Sequence, residues 1–236
     1  MVIALIQGGF FMFISVSEDG ALNLTGAGYA LTVIILLGLV LLAGLAAKNY
    51  GKNGEERSPL SARQISFCGI SIALATVLSM IKLYEFPFGG SITAFSMLFA
   101  CLPGYFYGLG AGILSGAAYG VLQFLLGPYI LFPAQVIVDY LLAFAALGLS
   151  GVFFRSKNGL IKGYLLAIVG RYVFAVISGW IFFGEYAWEG WNPLPYSLAY
   201  NGAYIFAEGI VTVVILLIPA VKNGLASVKQ MAVNAG

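Results

Sequence analysis

The sequence contains no histidine. That single absence removes Ser-His-Asp and Cys-His nucleophilic catalysis, HExxH zinc sites and histidine proton relays, so no enzymatic activity is expected. Cysteine is scarce as well. Cys68 and Cys101 show no metal-ligand spacing and read as small buried apolar residues. Charged residues make up only 8% of the 236 positions, against about 25% in a soluble domain. A net charge of +2, with no basic stripe interleaved with aromatics, excludes nucleic acid as a partner. The sequence holds no GxxxxGK[ST] phosphate loop, so ATP-driven work would need borrowed ATPases. The opening "MVIALIQGGFFMFISV" lacks the basic n-region and small-residue cleavage site of a signal peptide.

What the chain has in abundance is apolar sequence: 61% hydrophobic residues and a mean hydropathy of +0.99. A helix needs about 20 apolar residues to cross the hydrocarbon core, and such windows recur along the whole length. The alternating pattern of a membrane barrel is missing, so the expected fold is an all-α, multi-pass integral membrane protein. Spans are predicted at 28–47, 65–84, 92–107, 110–126, 133–154, 160–183 and 197–221. The first sixteen residues read as an eighth short span or an interfacial helix, their length favouring the latter. The segment "KNYGKNGEERSPLSARQ", 48–64, is the one clear linker. The expected organisation is an N-terminal transmembrane appendage and linker over 1–64, a six-helix body over 65–223 and a cytoplasmic tail over 224–236.

Charge sets orientation. Lys48, Lys52, Arg57, Arg63, Arg155, Lys157, Lys162, Lys222 and Lys229 all fall at one end of the body, which the positive-inside rule makes cytoplasmic. The opposite, outer end carries Glu85, Glu185 and Glu189 with Lys82. Gly108, Gly112, Gly116 and Gly120 recur every fourth residue, a spacing that suits close helix packing within the bundle. Gly69 and Ala73 form a weaker small-residue pair on the first body helix, facing either a neighbouring helix or a partner protein.

Asp139, Arg171 and Glu208 lie inside spans, where ionisable groups are expensive and usually paired or functional. Arg171 and Glu208 each sit twelve residues from the outer end of adjoining antiparallel helices, roughly 18 Å deep at about 1.5 Å per residue. They are expected to form a structural ion pair. Asp139, six residues beyond Pro133, has no basic residue at its own depth of about 9 Å. Such a carboxylate is protonated, hydrogen-bonded, or neutralised by something outside the protein, and an organic cation would serve. Tyr129 and Tyr140 flank it, and Tyr196, Tyr200 and Tyr204 recur at four-residue spacing on the last helix, with Asn201 on the Tyr204 face. Aromatic faces beside one carboxylate suit a ring-shaped cation.

The stretches "FPFGGSITAFSM", "LLGPYILFPAQVIVDYLLAF" and "GRYVFAVISGWIFFGEYAWEGWNPLPYSLAYNGAYIFAEG" resemble the thiamine-specific S-components of energy-coupling factor (ECF) vitamin transporters. The resemblance covers about residues 60–221. It implies a six-helix S-component body that captures extracellular thiamine under the outer loop 184–195, with no cofactor and no chemistry of its own. It also implies a membrane scaffold subunit and two cytoplasmic ATPase subunits as partners. The acid-tyrosine pair that faces the ligand in that family falls on Asp139 and Tyr140, the loop tyrosine on Tyr129, and the tyrosine and asparagine opening the last helix on Tyr196 and Asn201. An aromatic ending the fifth helix falls on Phe183, and Trp188 and Trp191 are the expected lid. Gly69 and Ala73 match the family's patch toward the scaffold subunit. Where the family commonly has histidine this chain has Ala175, and Asp139 stands where glutamate is usual. A thiamine precursor, another vitamin, or proton-coupled secondary transport through Asp139 are the alternatives.

Overall fold

The computed structural model describes residues 61–233 and, ahead of them, 14–16, 22–28, 30, 31 and 34. The expected first span lies largely outside the described residues, as does all of the linker before Ser61. Within the opening stretch, Ile14–Val16 is a strand (β1) paired antiparallel with Leu22–Leu24 (β2), in place of the expected helix.

Six helices build the body. The first, α1 (Ala62–Ser79), begins at a capping box in which the Ser61 hydroxyl accepts from the Gln64 N–H and the Gln64 side chain accepts from the Ser61 N–H. It is followed by α2 (Ser96–Tyr107), α3 (Leu109–Leu126), α4 (Pro133–Phe153), α5 (Gly159–Phe182) and α6 (Pro193–Leu216). Proline at the first position of α4 and α6 fits helix starts, where its missing N–H costs nothing. All of these except α2 are long and apolar enough to cross a membrane. A seventh helix, α7 (Pro219–Val233), folds across the basic end, where Arg63 and Tyr107 donate to the carbonyls of Met231 and Ala232. The tail expected from 224 is thus largely helical.

Two expected spans are shorter than predicted, because the chain between α1 and α2 forms a hairpin. Lys82–Glu85 (β3) pairs antiparallel with Ser91–Thr93 (β4), Tyr84 opposite Ile92 and Glu85 opposite Ser91. Pro87 and Gly89, the latter at φ +95°, turn the tip.

The glycine stripe is internal packing. A Cβ at Gly112 would stand 2.9 Å from the Gly148 Cα, one at Gly116 would meet the Phe144 carbonyl at 2.5 Å, and one at Gly120 would overlap the Tyr140 carbonyl. Glycine at these turns lets α3 lie directly on the backbone of α4. Around Tyr119, Met97, Leu147, Tyr164 and Ile205 the interior is closed. Outward faces stay apolar, as with Ile181, Ile210 and Val214, because lipid tails are their solvent.

Candidate functional site

Where α4 to α6, the hairpin and the end of α3 converge, they enclose a cavity of about 830 Å³. This lies within the range of small-molecule sites. Within α4, residues Ile137–Leu142 form a π-helical turn, a distortion often found at functional sites. It carries Asp139 and Tyr140, and both line the cavity. Gln135, one turn earlier and fully buried, donates from Nε2 to Asp139 Oδ2 at 2.8 Å and to the Tyr129 carbonyl at 3.1 Å, while its Oε1 accepts from the Leu131 N–H. That is the only hydrogen bond to the Asp139 carboxyl among the described residues. The fully buried hydroxyl of Ser178 lies alongside, outside hydrogen-bond geometry.

Aromatic rings form much of the remaining wall. Tyr129 stacks on Phe183 with centroids 5.9 Å apart and planes 21° from parallel. Burial, with the Tyr186 hydroxyl beside it, pushes the Tyr129 phenol up to about 12, so it is neutral at pH 7. The Tyr140 hydroxyl accepts from the Tyr129 N–H at 2.8 Å, which fixes the loop between α3 and α4 over the site. From α6, Tyr196, Tyr200 and Tyr204 all face inward. Asn201 donates to the carbonyls of Ala175 and Ser197 and accepts from the Tyr204 hydroxyl at 2.8 Å. Its amide N–H groups are therefore committed, one tying α6 to α5 through Ala175 and the other bonding Ser197 within α6, and the free lone pair of its oxygen is what remains for a ligand.

Arg171 and Glu208 also line the cavity, but they do not form the expected ion pair. Glu208 accepts from the Thr93 N–H at 2.9 Å, the Thr93 hydroxyl at 2.7 Å and the Met97 N–H at 3.1 Å. These bonds satisfy a buried carboxylate without a cation. Arg171 instead lies over the Phe144 ring, 4.4 Å from its centroid. Its charge reaches both Asp139 and Tyr204. The one ion pair within 4.0 Å among the described residues is Lys82–Glu85, at 2.5 Å on the hairpin.

Hairpin residues Phe86, Phe88, Gly89 and Gly90 line the cavity, and no residue of the tryptophan loop does. Tyr200 donates to the Pro87 carbonyl and accepts from the Gly90 N–H at 3.0 Å. Phe86 packs edge-on to Tyr84 and Tyr200. Trp188 and Trp191 are half exposed and line none of the cavity; Trp188 reaches it only through an edge contact with the Tyr196 ring at 5.3 Å. Gly69 and Ala73 line none of the cavity; both are exposed on α1, with open space around Gly69.

Residues 65–227 match the family described as Thiamine transporter protein. The chain belongs to the thiamine transporter family. Among its members, the Thiamine transporter ThiT of Bacillus subtilis is 33% identical over 163 residues, 62% of this chain and 84% of that protein. The Thiamine transporter ThiT of Lacticaseibacillus paracasei is 32% identical over 126 residues, 46% of this chain and 63% of that protein. The solved structure of ThiT from Listeria monocytogenes superposes with a TM-score of 0.57 at 30% identity, covering 66% of this chain and 94% of that one. As a member of the thiamine transporter family, the chain is a multi-pass membrane transport protein and not an enzyme.

The residues that the sequence reading passed over are chiefly Gln135 and the hairpin. Gln135 had a usable signal, since it precedes Asp139 by one helical turn. For the hairpin, "PFGG" was the available turn signal.

Proposed function

We propose that the chain is the substrate-capture subunit of an ECF-type importer, binding extracellular thiamine in the cavity beside Asp139. The observation that carries this is a carboxyl with one neutral hydrogen-bond partner, Gln135, set in an aromatic-walled cavity large enough for a two-ring ligand. Asp139 makes no ion pair within 4.0 Å among the described residues, and a cationic thiazolium would supply a direct one. The rings of Tyr129, Tyr140, Phe183 and Tyr196 supply stacking surface, and Asn201 Oδ1 accepts a ligand N–H or O–H. The similarity to ThiT proteins supports the ligand class. A membrane scaffold subunit and two ATPase subunits would drive transport. The exposed Gly69 and Ala73 face of α1 is available for the scaffold.

Calorimetric titration of the purified full chain with thiamine tests the ligand. Saturable one-to-one binding, weakened about tenfold or more in Asp139→Asn, is expected. Absence of saturation rejects the assignment. Uptake into proteoliposomes tests coupling: it should need scaffold, ATPases and ATP, and uptake driven by a proton gradient alone would favour a secondary carrier.

A thiamine precursor is the second reading, and Ala175 is its motive. Its methyl group lines the cavity where the family commonly has histidine, so one polar ligand contact is missing. Competition by the isolated pyrimidine or thiazole, tighter than thiamine itself, would select it.

A further inference from the structure

A second cavity, of about 210 Å³, lies at the opposite, basic end of the bundle, between α7 and the turn from α4 into α5. It is smaller than the about 300–1,000 Å³ of most small-molecule sites, so it would hold a headgroup rather than a whole cofactor. Its polar lining comprises Lys222, Lys229, Ser156, Asn158 and Tyr105, together with the first turn of α5. Lys229 donates one N–H to the Phe154 carbonyl and lies 4.0 Å from the Tyr105 ring centroid. An ammonium has three N–H donors, so two remain for a ligand. Burial lowers the Lys229 pKa, the response of an ammonium that has lost water without gaining an anion.

The α5 terminus adds to this field. Asn158, at φ +57°, makes no side-chain cap. The N–H of Gly159 bonds the Ser156 carbonyl and that of Lys162 bonds the Asn158 carbonyl, which leaves the N–H groups of Leu160 and Ile161 at the cavity wall without acceptors among the described residues. The N-terminus of a 24-residue helix therefore points free donors and a positive dipole end at the same space as two lysines.

No acid among the described residues at this end balances this charge. Among the described residues this end also carries Arg63, Arg155, Lys157 and Lys162, and no acid. Glu208, the deepest acid, is eight residues short of the end of α6 and is already bonded to Thr93 and Met97.

We infer that this cavity binds a phosphate group, of the kind carried by an anionic phospholipid headgroup or by free phosphate. Two lysines and unpaired helix N–H groups are the donor set that phosphate oxygens require, and the basic end of a multi-pass protein sits at the headgroup layer.

The test uses the full chain in phosphatidylcholine nanodiscs, with phosphatidylglycerol and inorganic phosphate as separate probes. Native mass spectrometry is expected to find one phosphatidylglycerol retained per chain. The double variant Lys222→Gln, Lys229→Gln should weaken retention at least about tenfold, a change of about 1.4 kcal/mol. Lys162→Gln, which removes a charge at the same end but outside the cavity, should leave it unchanged, and Lys229→Arg should preserve it. Competition by millimolar inorganic phosphate assigns the site to free phosphate; failure to compete assigns it to the lipid headgroup. The inference is overturned if neither probe binds, as it would be if an acidic protein partner fills the cavity. Equal loss in Lys162→Gln also overturns it, because attraction to diffuse charge would then explain retention. Thermal midpoints in pure phosphatidylcholine separate misfolding from loss of the site.

Discussion

Gln135 holds Asp139 from one turn away on the same helix, its Nε2 2.8 Å from Oδ2, while its other bonds fasten the Tyr129 loop. One amide thus orients the proposed cation-binding carboxyl and the aromatic roof above it. Gln135→Ala should weaken thiamine binding about tenfold or more, since removing a partner from a desolvated polar group costs about 1–3 kcal/mol. Gln135→Glu also removes the Nε2 donor to Asp139 and to the Tyr129 carbonyl but adds a carboxyl that a cation would neutralise, so it should weaken binding less than Gln135→Ala. Calorimetry checks both, and unchanged affinity in Gln135→Ala would dismiss the positioning role.

Gly120 reaches the same carboxyl through the backbone. A methyl group there overlaps the Tyr140 carbonyl and stands 2.9 Å from Phe144 Cβ, so Gly120→Ala must push α3 off the π-helical turn. Overpacking of this kind costs about 1–3 kcal/mol. Both the thermal midpoint and thiamine affinity should fall, whereas Gly110→Ala, with nothing within 4 Å of the added methyl, should leave both unchanged.

The long helices were readable because an apolar window of about 20 residues has few alternatives in lipid. The hairpin was lost for a related reason: "KLYEFPFGGSIT" is apolar enough to be absorbed into the helices on either side. Charge pairing failed on geometry. Counting residues along two antiparallel helices gives Arg171 and Glu208 a common height but says nothing of rotation about each axis. Glu208 faces the start of α2, and Arg171 faces Phe144. Asp139, Tyr140, Tyr129, Phe183, Tyr196 and Asn201 all line one cavity; the residues alone singled out the partnerless Asp139 with tyrosines near it, and the resemblance to the S-components supplied Phe183 and the grouping.

Glu208 ties the hairpin to α6 through both the N–H and the hydroxyl of Thr93. Glu208→Ala leaves the Thr93 and Met97 N–H groups buried without an acceptor, while the Thr93 hydroxyl keeps Ser96 Oγ at 2.6 Å; each unsatisfied group costs about 1–3 kcal/mol. Hydrogen exchange should therefore accelerate at the Thr93 and Met97 amides, and the thermal midpoint should drop. Arg171→Ala should leave exchange at those two amides unchanged. Parallel acceleration in Arg171→Ala would restore the ion pair as the better description.

Tyr200 is the second clasp on the hairpin, bonded to the Pro87 carbonyl and the Gly90 N–H. Phenylalanine keeps the ring that packs on Phe86 and removes both bonds. Because these bonds hold hairpin residues that line the cavity, Tyr200→Phe should raise the thiamine dissociation rate about tenfold with a smaller change in association rate. Stopped-flow binding separates the two. An effect confined to the association rate would mean that the hairpin does not retain the ligand.

None of the three tryptophans lines the cavity, so any fluorescence response to thiamine must be relayed. The available relay is Trp188, whose ring meets the edge of Tyr196, a residue that does line it. Trp191 touches Trp188 and stands one step further out, and Trp180 lies half exposed on the apolar outer face of α5. Trp188→Phe should abolish most of the fluorescence change while calorimetric affinity stays within about twofold, and Trp191→Phe should keep the signal. A lid predicts the opposite for Trp188: a side chain that seals the site against water contributes to retention, so its loss would cut affinity about tenfold, or 1.4 kcal/mol. Measuring signal and affinity on the same variant therefore decides whether the tryptophan loop closes the site or only reports on it.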